Sequence, residues 1–98
     1  MPVFHDRYFV TVTMKPETVR LFIKPHCGWC HDAMAWLDQR GISYDKRDVV
    51  ADSSARKEMI ALSGQTLTPV IDADGEVLAN FGADELAEWW EKQGFGSA

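Results

Sequence analysis

Cys27 and Cys30 are the only two cysteines in the chain, and two residues separate them. In a Cys-x-x-Cys, one sulfur can attack a disulfide and the other can then attack the first, closing a ring between neighbours. That chemistry needs a thiolate, yet a free cysteine ionises at about 8.5 and is mostly protonated at neutral pH. The flanking residues offer a remedy. Val19-Arg-Leu-Phe-Ile-Lys24 ahead of the pair is apolar and reads as a buried strand. Gly28 to Arg40 behind it carries Ala33, Trp36 and Leu37 at helical spacing. Cys27 therefore falls at a strand-to-helix junction, where backbone N–H groups lack partners and the helix dipole is positive. Lys24 adds a positive charge nearby. Cys30 lies three residues on, on the same side of the helix. The pattern points to thiol–disulfide exchange.

Two other chemistries use the same residues. Cys27-Gly-Trp-Cys30-His31 matches the attachment pattern of a c-type haem. Against it stand the preceding buried strand, the β-α-β order and the absence of an export signal. Cys27, Cys30, His26 and His31 could also offer sulfur and nitrogen to a metal, but ligands so close in sequence seldom close a tetrahedron alone, and no second Cys-x-x-Cys follows. No metal enters the main reading.

The elements that must hold the pair follow in order. Tyr8-Phe-Val-Thr-Val-Thr-Met14 alternates as an edge strand would, before Lys15-Pro16-Glu17 turns the chain, so residues 1–17 are read as an N-terminal extension and 18–98 as the domain. The first strand, apolar on both faces apart from Arg20, is expected at the sheet centre. Its helix ends at Gly41, and a short second strand lies within Ile42–Val50, where Asp45, Lys46, Arg47 and Asp48 suit a solvated edge. Asp52-Ser53-Ser54 offers N-caps for a second helix with Ala55, Met59 and Leu62 facing inward and Gly64 closing it. Pro69-Val-Ile-Asp72 and Glu76-Val-Leu-Ala79 read as strands joined by the Asp74-Gly75 turn. Asp84 is the expected cap of a last helix, with Leu86, Trp89 or Trp90, and Phe95 inward and Gly94 ending it. The order β-α-β-α-β-β-α predicts an α/β thioredoxin-like fold. Its four-stranded mixed sheet is covered by three helices, with an extra N-terminal edge strand possible beside it.

Composition narrows the class. At 98 residues the chain is one domain, and its 46% hydrophobic fraction is that of a globular protein. A net charge of −5 with no Lys/Arg cluster argues against nucleic acid. No apolar run is long enough to cross a bilayer, and the N-terminus lacks the form of a secretion signal. A cytoplasmic monomer is expected.

With motif and element order together, the chain from about Val19 to Trp90 resembles the glutaredoxins, and more narrowly the small bacterial and archaeal glutaredoxin-like proteins. Lys24-Pro-His-Cys-Gly-Trp-Cys30, Ser63-Gly-Gln-Thr-Leu-Thr-Pro-Val-Ile71 and Phe81-Gly-Ala-Asp-Glu-Leu86 carry the likeness. The resemblance implies that Cys27 is the nucleophile and Cys30 the resolving thiol. It also implies that Pro69 is a cis-proline facing the sulfurs and that the Thr68 backbone pairs with an extended substrate. For glutathione, it implies that Lys24 holds the glycyl carboxylate with help from Gln65, and that the γ-glutamyl end meets Gly82, Ala83 and Asp84. Phe81 replaces the first glycine of the family's Gly-Gly and is expected to narrow that end, and Gly28 replaces the motif proline. The implied activity is reduction of protein or glutathione-mixed disulfides, with recharging by glutathione or by a flavoprotein reductase. The alternative is a dimer bridged by an iron–sulfur cluster, each subunit giving Cys27 with glutathione as co-ligand.

Overall fold

A computed structural model describes residues 15–96 of the chain. The elements are β1 (Val19–Ile23), α1 (Gly28–Gln39), β2 (Asp45–Asp48), α2 (Ser53–Ser63), β3 (Val70–Ala73), β4 (Glu76–Ala79) and α3 (Ala83–Lys92). The expected strand within residues 8–14 lies outside the described residues.

β1 is central, as its apolar faces require. The sheet order is β2-β1-β3-β4, with β2 parallel to β1, β3 antiparallel to β1 and β4 antiparallel to β3. Alternation along β1 divides the core between the two faces. Val19, Leu21 and Ile23 pack with Ala33 and Leu37 of α1 and with Leu86 and Trp90 of α3. Phe22 points the other way and packs with Ala55 and Met59 of α2. Arg20 shares the α2 side and forms ion pairs with Asp72 of β3 (2.6 Å) and with Glu58 of α2, which also meets Arg47 of β2 at 3.1 Å. A charged network thus joins three strands to one helix where Phe22 leaves off.

Local signals stop and start the elements. At the end of α1, Gly41 adopts φ 66°, its N–H donates to Asp38 O (3.1 Å), and the Ile42 N–H donates to Leu37 O (3.0 Å). That is a Schellman closure, which favours a residue without Cβ at this φ. Asp74 and Gly75 take φ 51° and 91°, the paired positive values of a tight hairpin turn. The Asp74 carboxylate accepts the backbone N–H groups of Thr18 and Glu17, each at 2.9 Å, and these bonds hold its pKa below the usual carboxylate range. The start of β1 is thereby tied to the β3–β4 hairpin. Asp52 caps α2, its Oδ1 accepting from Ser54 N at 2.9 Å and Ala55 N at 3.3 Å.

Two expectations need correction. Gly82, not Asp84, is the N-cap of α3. Glu85 reaches back and accepts the Gly82 N–H at 2.8 Å, so the helix starts two residues earlier and Asp84 sits inside its first turn. Leu62 is exposed rather than inward. It falls in the last turn of α2, and the inward contacts are made by Ala55, Met59 and Ile60.

Candidate active site

The loop from β1 into α1 delivers Cys27 as the helix N-cap, in extended conformation (φ −103°, ψ 111°). Its Sγ takes the role an oxygen usually plays there and accepts the Cys30 N–H at 3.2 Å. His31, one residue into the next turn, has its Nε2 2.8 Å from Pro25 O; against a carbonyl this nitrogen must donate, so the ring pins the loop that presents Cys27. Cys27 is partly exposed, whereas Cys30 is wholly buried in the core with Ala33 and Leu37. Both thiols are free.

The second wall is the loop before β3. The Thr68–Pro69 peptide is cis, as the resemblance implies, and both residues are buried. Thr68 O lies 3.8 Å from Cys27 Sγ. Gln65 builds this loop: its Oε1 accepts Leu67 N–H (2.7 Å), while its Nε2 donates to Leu67 O (3.0 Å) and to Ser63 Oγ (3.1 Å). One side chain therefore holds the end of α2 and the approach to Thr68 in a fixed relation. Lys24 Nζ donates to Thr66 O at 3.3 Å, so it bridges the two loops beside the cysteines and retains two of its three N–H donors.

The two sulfurs are driven apart in acidity. Partial burial pushes the Cys27 thiol up. The Cys30 thiol, the Thr68 side chain and the amides of Cys30 and Trp29 pull it down by hydrogen bonding and prevail, leaving Cys27 below the ordinary cysteine value. These bonds favour the thiolate. Lys24, whose charge the sequence sets near Cys27, donates to Thr66 O. Burial pushes Cys30 up, and the hydrogen bond to Cys27 adds to it, to about 11. Cys27 is thus the sulfur that ionises first, and Cys30 stays protonated while Cys27 carries charge.

On the other side of Cys27, Trp29 and Asp32 of α1 face Gly82, Ala83, Asp84 and Glu85 across an open cleft of about 400 Å³. Phe81 does not narrow it. Its ring is buried in the core with Leu86 and Trp90, and of the Phe81-Gly82 pair only Gly82 lines the cleft. The Gly82 N–H is taken by Glu85, but those of Ala83, Asp84 and Glu85 lie in the first turn, where a helix has no partner for them. The fold therefore brings Lys24, Gln65, Thr68 and Pro69 together at one end of the cysteine pair and Gly82, Ala83 and Asp84 at the other. The residues that sequence reasoning missed are Asp32 as a cleft wall, and Ser63 and His31 as braces. Ser63 opens a stretch that carries the family likeness, yet nothing in that stretch marks it as a brace. Among the described residues no group of three or more His, Cys, Asp or Glu side chains converges as metal ligands.

A dithiol at the N-terminus of the first helix, opposite a cis-proline on a four-stranded sheet, defines a thioredoxin-like protein. Comparison with known proteins narrows the class. The family model described as Glutaredoxin matches residues 10–78, and the chain belongs to the glutaredoxin family. An uncharacterized glutaredoxin-like 8.6 kDa protein in the rubredoxin operon of Clostridium pasteurianum is 31% identical over 74 residues, covering 76% of this chain and 99% of that one. Glutaredoxin 3 of Escherichia coli strain K12 is 34% identical over 68 residues, covering 69% and 80%. Among solved structures, the thioredoxin-like protein BC3987 superposes with a TM-score of 0.67 at 27% identity, over 72% of this chain and 97% of that one.

Proposed function

We infer that this chain, through residues 18–98, is a dithiol oxidoreductase that reduces protein or glutathione-mixed disulfides in the cytoplasm as a monomer, with residues 1–17 as an extension. The observation that carries the reading is the split between the sulfurs: Cys27 is lowered, partly exposed and at the helix N-terminus, and Cys30 is buried and raised to about 11. The Cys27 thiolate attacks one sulfur of the substrate disulfide. A Cys27–substrate disulfide forms, and the other substrate sulfur leaves as a thiolate that takes a proton from water. Charge on Cys27 is thereby lost, which removes two of the influences holding Cys30 protonated. Cys30 then attacks Cys27 Sγ, its proton passing through solvent to the departing substrate sulfur. The second substrate thiolate departs and the Cys27–Cys30 disulfide closes, so two electrons have passed to the substrate. Two equivalents of glutathione, or a flavoprotein reductase, return them.

Glutathione fits the same surface. The free N–H donors of Lys24 suit its glycyl carboxylate, the unpaired amides at the start of α3 suit its γ-glutamyl carboxylate, and Gln65 serves the glycyl end by fixing the loop that carries Thr66 and Thr68. The test is turnover of a small mixed disulfide with glutathione and its reductase, compared with thioredoxin reductase and NADPH. Cys27→Ser abolishes turnover with both donors, and Cys30→Ser retains only glutathione-dependent turnover. Activity surviving in Cys27→Ser contradicts the assignment.

A further inference from the structure

A disulfide reaching Cys27 must pass over a surface with two unlike parts. Trp29, in the first turn of α1, is 51% exposed, and Leu67, next to Thr68, is 54% exposed. These two large apolar side chains stand on the segments that carry Cys27 and Thr68, where an extended polypeptide covers both. Beside Trp29, the cleft to α3 is lined by three carboxylates, Asp32, Asp84 and Glu85, and by no basic side chain. Glu85 is occupied with the Gly82 N–H, while Asp32 and Asp84 are exposed and take part in no ion pair among the described residues. Lys24, five residues before Trp29, belongs to the opposite end and donates to Thr66. The whole chain carries −5, so the field at longer range has the same sign as the cleft.

We propose that this face selects a polypeptide disulfide whose cysteine is flanked by a lysine or arginine, with Trp29 and Leu67 covering the backbone neighbours and Asp32 and Asp84 determining the specificity. The proposal rests on the reading of Cys27 as the nucleophile and names the substrate class for that same site. Opposite charge across a rim accelerates encounter and suppresses partners of like charge more than it adds affinity, so the selection acts on the rate of mixed-disulfide formation.

The experiment uses two synthetic peptides, each with one cysteine in mixed disulfide with 2-mercaptoethanol, alike except for Lys or Glu beside the cysteine. Single-turnover rates of the reduced protein are divided by the rates of free 2-mercaptoethanol thiolate with the same peptide, which removes the peptides' intrinsic reactivity. The Lys peptide is expected to react roughly three- to tenfold faster at low ionic strength, the range that two exposed charge pairs can supply. The preference should shrink towards unity in about 1 M salt, where the screening length is about 3 Å. It should fall by at least half in Asp32→Asn/Asp84→Asn and decline further in Asp32→Lys. Equal rates, or a preference unchanged in these variants, overturns the charge selection alone. If neither peptide reacts while free thiolate reduces both, the reading of Cys27 fails and takes the proposal with it.

Discussion

The Sγ of Cys27 lies 3.2 Å from the backbone nitrogen of Cys30 and caps the helix on which its own partner is buried. One contact therefore serves stability and chemistry together. The helix start gains an acceptor, and the acceptor gains a donor that stabilises its anion. The same geometry holds Cys30 close enough to resolve a mixed disulfide while burial keeps it from competing for substrate.

Burial of a neutral Cys30 has a consequence for alkaline stability. Its folded-state pKa is raised to about 11, so the stabilising contribution of the protonated thiol is complete below the free-cysteine value of about 8.5 and lost as pH climbs towards 11. Urea titrations of the reduced protein should show a decline on the order of 2 kcal/mol across that window. Cys30→Ala should show a smaller one. Equal slopes for the two proteins would mean that Cys30 is not the group responsible.

Gln65 reaches Ser63 and Leu67 through three hydrogen bonds and touches neither sulfur. In Gln65→Ala, turnover of peptide disulfides that lack a glutathionyl carboxylate should drop several-fold, and the thiol of Cys27 should titrate at higher pH as the loop bearing Thr68 loosens. A variant impaired only in its KM for glutathione would show Gln65 to be a ligand contact and not a brace.

Phe81 is 1% exposed and packs with Leu86 and Trp90. Its truncation to alanine should cost about 3 to 5 kcal/mol in urea unfolding, the usual range for a buried phenylalanine. A loss under about 1 kcal/mol would place the ring outside the core.

Asp52 accepts the N–H groups of Ser54 and Ala55, two first-turn donors of α2. Asp52→Ala should cost about 1 kcal/mol, measured by urea unfolding, with Asp52→Ser close to the parent. Because α2 ends at the loop held by Gln65, disulfide turnover in Asp52→Ala should change far less than in Gln65→Ala.

What was legible in the residues was whatever depends on near neighbours. Gly41 after a helical run, Asp52 before one and Asp74-Gly75 between two strands each act within a few residues, and all three stand where the sequence places them. The apolar run Val19–Ile23, broken only by Arg20, likewise reveals a central strand without knowledge of its partners. Less visible were features decided by contacts across the chain. Asp84 looks like a cap until Glu85 is seen to reach Gly82. The bond from Lys24 to the carbonyl of Thr66, 42 residues away, has no signal in the sequence. Phe81 sits where the family has a glycine at the ligand, yet Leu86 and Trp90 turn its ring into the core.

Ultraviolet thiolate absorbance against pH, recorded for the reduced protein and for Cys27→Ser, bears most directly on the split between the sulfurs. One thiol should ionise below the free-cysteine value of about 8.5, and that transition should vanish in Cys27→Ser. Persistence of the transition in Cys27→Ser, or a Cys27 that stays protonated past that value, would contradict the mechanism.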